Sequence, residues 1–357
     1  MQIVINTLLP FVIAACLAGS FAARADAAGH ARTVAAQGDT LDNLPSYQPR
    51  TRVTGTIRTW GHVFVKDAMK NWEEAFRKYH PDVKFEDKLV SSAAAIGSLY
   101  AGAADIGFIG REVRPMEVAG YNRVMKHPPL GLRVMTGSYA HADKLIALGI
   151  FVHKDNPLAR LTYAQLDAIF GGENLRAGKR IRMWGELGIG GEWSNRPVQV
   201  YTGVLDAAPA FYFSQEVMKG SLLWNGDLRY FDDLPVAGAK DIESGQRVVD
   251  ALANDKYGIA LSGAGYRNPR VKQVAIALEE RRPFIEPTPE NVANRTYPFA
   301  RSVWLYVNRA PGAALDPKVG EFLRFILSRE GQALVKLEGD YFPLTVEIAR
   351  EELAKLE

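Results

Sequence analysis

Cysteine is almost absent from this chain of 357 residues, since Cys16 is the only one. It lies inside an apolar N-terminal segment, so the rest of the chain has no thiol for a disulfide or a nucleophile. The six histidines form neither His-x-His nor His-x-x-x-His, and zinc sites are usually built from such clusters of His and Cys. These absences predict a protein with no metal site, no cofactor and no thiol chemistry.

The motifs of common enzyme classes are also missing. No Walker loop occurs, and Ser262 in "ALSGAG" lacks the first glycine of a Gly-x-Ser-x-Gly motif. No nucleophile stands beside a base. We expect a protein that is not an enzyme, and a phosphate-ester hydrolase on the same scaffold is the weakest hypothesis that we keep open.

Charge of one sign is not in excess, because 43 basic residues face 40 acidic ones. No block of lysine and arginine forms a basic patch, so we expect no nucleic-acid partner. The apolar and charged contents, 47% and 23%, are ordinary for a globular chain. We expect a monomer with a substantial core.

The N-terminus carries an apolar stretch from Ile3 to Ala23, and Ala23-Arg24-Ala25 fits a signal-peptidase site. We predict an export signal at residues 1–25, a tail at 26–52 and a periplasmic location. A membrane anchor is the alternative for the apolar stretch. The stretch before Cys16 also resembles a lipoprotein box, so Cys16 is a possible lipidation site. No later run reaches the roughly 18 apolar residues of a membrane span.

Strands and helices alternate after the tail. "TGTIRTW", "VKFEDKLV" and "ADIGFIG" have the alternation of strands, and an amphipathic helix follows the first of them. This order predicts an α/β fold with a parallel sheet, whose ligands bind beyond the carboxyl ends of the strands. The candidate ligand residues at these ends are Thr59, Trp60, Gly61, His62, Ser91, Ser92, Gly110, Arg111 and Glu112.

Each candidate also has a structural interpretation. A serine before a helix, such as Ser91, is usually an N-cap. His62 can face solvent or cap a turn, and Glu112 can be a solvated acid at a helix start. Three polar strand ends at one edge nevertheless favour a ligand site, because helix starts attract anions.

The middle of the chain holds a second α/β unit. "LTYAQLDAIFGG" has a capping box, with Thr162 at the N-cap and Gln165 three residues later. We expect two lobes with two chain crossings: residues 53–148 and 259–357 form lobe 1, and residues 149–258 form lobe 2.

Four segments resemble the phosphate-binding-protein branch of the periplasmic solute-binding proteins that serve ABC importers. They are "DNPLARLTYAQLDAIFGG", "ADIGFIGREVRPME", "YPFARSVWLYVN" and "EFLRFILSREGQALVKLEGDYFPL". The resemblance implies a two-lobed type II periplasmic-binding-protein fold with two hinge crossings. It also implies capture of an oxyanion, inorganic phosphate or a relative, for delivery to an ABC permease.

The resemblance also implies where the ligand binds. Residues 59–62, Ser91 with Ser92, and Arg111 match loops of the family's anion site. The family's Arg-x-x-x-Ser-Gly-Thr segment is replaced here by "VYTGVLDAAPAFYF", in which Tyr201, Thr202 and Gly203 are the candidates. A carboxylate can also accept a hydrogen bond from a protonated oxyanion, and Glu112 and Asp206 are the candidates for this role. The replacement leaves an alternative open: the same fold with a degraded anion site, acting as a sensing, adhesion or scaffold module.

Overall fold

The computed structural model describes residues 41–141 and 144–357, which form twelve strands and ten α-helices. The strands are β1 (Gly55–Gly61), β2 (Val83–Leu89), β3 (Ile106–Ile109), β4 (Leu130–Thr136), β5 (Leu148–His153), β6 (Arg160–Thr162), β7 (Gln199–Gly203), β8 (Arg229–Phe231), β9 (Gly258–Gly263), β10 (Val271–Gln273), β11 (Ala275–Ala277) and β12 (Ser302–Val307). The helices are α1 (Lys66–Phe76), α2 (Ser92–Tyr100), α3 (Pro115–Met125), α4 (Tyr163–Phe170), α5 (Ala208–Glu216), α6 (Ser244–Leu252), α7 (Pro289–Ala293), α8 (Pro317–Leu327), α9 (Arg329–Glu338) and α10 (Val346–Ala354).

Two five-stranded sheets organise these elements. The first has the order β2-β1-β3-β12-β4, and the second has the order β10-β5-β9-β7-β8. Strands β1, β2 and β3 are parallel, as predicted, whereas β12 runs antiparallel to both of its neighbours. The sheets are therefore mixed, and the α/β prediction is confirmed.

Each sheet has apolar helices on both faces, which gives two lobes with separate cores. On the first sheet, α1, α8, α9 and α10 pack on one face and α2 with α3 on the other. On the second sheet, α6 covers one face and α4 with α5 cover the other. Trp72, Phe76 and Phe325 are buried in the first of these cores.

The chain crosses between the sheets twice, from β4 to β5 and from β11 to β12. The predicted return to lobe 1 at residue 259 lies inside β9, which pairs with β5 and β7 of the second sheet. The sequence could not show this, because strand pairing is non-local. Sheet membership places the second crossing just before β12.

The N-terminal segment from residue 41 belongs to the first lobe rather than to a tail. Leu44 and Tyr47 are buried in its core. The Tyr47 hydroxyl donates a hydrogen bond to Glu321 on α8, at 2.8 Å. The predicted export signal at 1–25, Cys16 and most of the predicted tail lie outside the described residues. Among the described helices, none is both long enough and apolar enough to cross a bilayer.

Candidate functional site

Three strand ends of the first sheet meet at one edge, which we call the rim. The Ser91 N–H donates to the Gly61 carbonyl at 2.9 Å, and the Gly110 N–H donates to Ser92 Oγ at 2.9 Å. The loops after β1, β2 and β3 are thus bonded to one another. The structure therefore brings together the polar strand ends that the sequence singled out.

The small polar side chains of the rim are engaged by the protein itself. Ser91 Oγ accepts the Ala93 N–H at 3.2 Å and so caps α2. Ser91 thus has the N-cap role that the sequence offered as the alternative to ligand binding. His62 Nδ1 accepts the Phe64 N–H at 3.2 Å. Burial, with a smaller effect from the charge of Arg111, lowers the pKa of His62. These groups hold the rim in shape and leave few hydroxyls for a ligand.

Thr59 and Trp60 lie within β1, before the strand reaches the rim. The Thr59 side chain is fully buried, and its Oγ1 has no hydrogen-bond partner among the described residues. The Trp60 ring is half-buried and contacts the Lys88 ammonium, 4.7 Å from the ring centre. Neither residue lines the cavity described below.

The two charged residues after β3 form separate ion pairs. Arg111 donates to both carboxylate oxygens of Glu117, at 2.6 and 2.8 Å. Glu112 accepts two bonds from Arg301, at 2.7 and 3.1 Å. Glu117 also accepts the Arg114 N–H at the start of α3, so the bonds of Arg111 tie the loop after β3 to this helix.

A cavity of about 380 Å³ lies where the two lobes meet the crossings. The first lobe contributes Phe64 and Gly110, and the crossings contribute residues 144–146 and Arg301. The second lobe provides the other lining residues, namely 202–204, 207–210, Asp233, 243–245, 261–263 and Tyr266. Of the predicted ligand residues, Gly110, Thr202 and Gly203 line this cavity.

Tyr201 faces away from the cavity. Successive side chains of a strand point to opposite faces, and Tyr201 packs in the core between β7 and α6, opposite to Thr202. Its hydroxyl donates to Asp255 at 2.8 Å. Burial, followed by this hydrogen bond, raises the pKa of Tyr201 to about 12. Asp206 is exposed and is also not among the lining residues.

Arg301 is the functional candidate that the sequence interpretation missed. Its side chain is only 1% exposed, yet it lines the cavity. Two of its nitrogens bind Glu112, while Nη1 makes a long contact of 3.5 Å with the Ile146 carbonyl. Its guanidinium lies 5.1 Å from the centre of the Tyr212 ring. A single charge inside the apolar stretch "YPFARSVWLYV" is the signal that could have revealed it.

The helices α5 and α6 both begin at the cavity, and they differ in the hydrogen-bond acceptors available to the backbone N–H groups of their first turns. At α6, Asp233 accepts the Ser244 N–H at 2.6 Å, so a carboxylate of the protein already sits at this helix start. At α5, Ala207 provides no side-chain cap. Because free N–H groups and the helix dipole favour negative charge, the start of α5 is the place where this cavity can receive an anion.

Comparison with known proteins agrees with this geometry. The model of the PBP (periplasmic-binding-protein) superfamily domain matches residues 46–330. The chain belongs to this superfamily. The phosphate-binding protein PstS of Pseudomonas aeruginosa is 32% identical over 314 residues, which cover 88% of this chain and 90% of the relative. The resemblance to the phosphate-binding-protein branch is therefore confirmed.

Solved structures of the superfamily share the fold. An ABC-type phosphate transport receptor from Vibrio cholerae matches with a TM-score of 0.53 at 19% identity, over 81% of this chain and all (100%) of that one. PstS from Borrelia burgdorferi matches with a TM-score of 0.55 at 14% identity, over 81% of this chain and 98% of that one. The predicted type II periplasmic-binding-protein fold is confirmed.

Proposed function

We propose that this protein is an exported solute-binding protein that captures a phosphate-class oxyanion between its lobes and delivers it to an ABC permease. Its curated PstS relatives are named as phosphate-binding proteins. The observation that carries the proposal is the interlobe cavity, where the uncapped start of α5 and Arg301 lie together. The protein binds its ligand and does not transform it.

The ligand stabilises a closed arrangement of the lobes. Gly110 approaches it from the first lobe, while Thr202, Gly203 and the start of α5 approach it from the second. A ligand that contacts both lobes favours the state in which all contacts are made. Arg301 adds charge-assisted hydrogen bonds, and Glu112 holds its guanidinium in place. The other rim residues shape the first-lobe wall.

Calorimetric titration of the purified protein with phosphate, with sulfate as competitor, tests the proposal. We expect phosphate to bind and sulfate not to displace it. Arg301→Met should weaken phosphate binding at least about tenfold, the scale of one charge-assisted hydrogen bond. Arg350→Met is the matched control, because Arg350 bonds a surface carbonyl of Asn43. Absence of heat with either anion, in folded protein, would favour the degraded-site alternative.

Export and oligomeric state are parts of the same proposal. Cleavage after residue 25 predicts a mature N-terminus at Asp26, whereas lipidation would place it at Cys16. Intact-mass measurement of protein recovered from the periplasm distinguishes the two outcomes. Light scattering of the same sample should give the mass of a monomer.

A further inference from the structure

Charges around the interlobe cavity are divided between its two helix starts. On the α5 side, the first turn of α5 has no side-chain cap, and the guanidinium of Arg301, whose charge is paired with Glu112, adds N–H donors to the lining. Arg114 also reaches this helix from the first lobe, since its Nη2 donates to the Asp206 carbonyl at 2.7 Å and its guanidinium lies 5.7 Å from the Phe211 ring centre. The start of α5 therefore gathers the N–H donors of this wall.

The α6 side is negative. Asp233 and Glu243 both line the cavity there. Glu243 is paired with Lys240 at 2.8 Å and accepts the Tyr266 hydroxyl at 2.5 Å. Asp233 accepts a bond from the neutral Ser244 amide, which leaves the charge of its carboxylate in place. A second anionic group of a ligand would be repelled from this side, and a cationic group would be attracted.

The remaining cation of the lining does not alter this division. Lys144 lies 2.6 Å from Asp340 and 3.6 Å from Asp67, so two carboxylates of the first lobe already neutralise it. The cavity therefore offers N–H donors and the positive end of a helix dipole on its α5 wall, and carboxylates on its α6 wall.

The size and lining of the cavity fit a ligand with a carbon chain. Its volume of about 380 Å³ lies in the range of roughly 300–1,000 Å³ that is typical of sites for organic ligands. The side chains of Ile146, Val204 and Leu261, which are among the lining residues, contain only carbon and hydrogen. Pro209, in the first turn of α5, has no N–H to donate. An inorganic tetrahedral ion would leave these apolar surfaces without contacts.

We propose that the ligand is a small organic phosphate or phosphonate that also carries an amino group. This inference rests on the proposed function and names the ligand class of the same site. The phosphoryl group binds at the start of α5 beside Arg301, and the ammonium group binds at Asp233. The apolar side chains pack against the carbon atoms that join the two groups.

Three ligands separate the possibilities in calorimetric titrations of the purified protein: inorganic phosphate, ethyl phosphate and phosphoethanolamine. The last two differ only in the amino group. We expect phosphoethanolamine to bind about threefold to fivefold more tightly than ethyl phosphate, which is the scale of one exposed ion pair. Asp233→Asn should remove that advantage and leave the affinity for ethyl phosphate unchanged. Asp232→Asn is the control, because this neighbouring carboxylate does not line the cavity.

The outcomes are distinct. Equal affinity for the two esters, or an advantage that survives Asp233→Asn, would overturn the inference. Tightest binding of inorganic phosphate would also overturn it while leaving the proposed function intact. If none of the three ligands binds to folded protein, the proposed function itself fails. Unchanged ethyl phosphate binding by Asp233→Asn protein also shows that the variant is folded.

Discussion

Arg301→Met should destabilise the protein strongly, because it breaks a buried ion pair. Arg301 is 1% exposed and its partner Glu112 is 20% exposed. Removing one member of a buried pair typically costs 3–5 kcal/mol, since the other charge is left without a partner. Water can reach Glu112 in part, so we expect a loss at the lower end, about 3 kcal/mol of unfolding free energy.

Substitution of the other member of the pair, Glu112, should cost more. Glu112→Met leaves the guanidinium of Arg301, which is only 1% exposed, without its carboxylate partner, so we expect a loss of about 4 kcal/mol. The double variant leaves neither charge stranded. Its loss should therefore be smaller than the sum of the single losses by about 2 kcal/mol, which is within the range found for residues in contact.

Urea unfolding followed by tryptophan fluorescence measures these free energies, without ligand present. A loss below about 1 kcal/mol for Arg301→Met would refute the reasoning, because surface substitutions usually stay within about half of that. Additivity of the two single variants would refute it as well, since it would show that the two side chains are not energetically coupled.

Three further predictions concern residues outside the cavity. Tyr201→Phe removes the hydrogen bond to Asp255 and should cost about 1 kcal/mol in thermal unfolding, while anion affinity measured by calorimetry stays the same; a lower affinity would place Tyr201 in the site. Burial, followed by a hydrogen bond with Asp87, raises the pKa of Glu73 from its ordinary 4.5 to about 8. The folded state therefore holds the proton of Glu73 more tightly than the unfolded state does. The resulting contribution to the free energy of unfolding is complete below pH 4.5 and is lost as the pH rises toward 8. Glu73→Gln should therefore flatten the fall in stability between pH 5 and 8, and an unchanged slope would contradict this. Thr162→Ala should cost about 1 kcal/mol by removing the cap of α4, whereas Thr162→Ser should cost much less in the same melting experiment, and equal losses would exclude capping as the cause.

Local features were predictable from the sequence because all of their partners lie nearby in the chain. The capping box at the start of α4 forms as expected, with the Gln165 N–H bonded to Thr162 Oγ1 at 3.2 Å and Gln165 Oε1 bonded to the Thr162 N–H at 2.9 Å. The alternation of strands and helices likewise predicted parallel strands whose polar ends meet at one rim. Both inferences need only local periodicity and the geometry of a parallel sheet.

Features that depend on distant pairing were not predictable. Arg301 and Glu112 are 189 positions apart, and no local pattern joins them. The short apolar segment "VKQVAIA" forms two strands, β10 and β11, which pair with β5 and β6 in different sheets. Tyr201 was expected beside the ligand, but side chains alternate between the two faces of β7, and that of Tyr201 points into the core.

The position of β12 in the first sheet has a consequence for the order of folding. This strand lies between β3 and β4 in the sheet, although the whole of the second lobe separates it from them in the sequence. Until residues 302–307 have been synthesised, β3 and β4 have no strand between them. Until residues 317–338 have followed, α1 lacks the helices α8 and α9 that complete its core. The first sheet of a nascent chain cannot be completed until its last segment is available, because β12 pairs with both β3 and β4. Loss of the C-terminal segment therefore prevents assembly of the first lobe, including the strands β1 to β4, which are synthesised first.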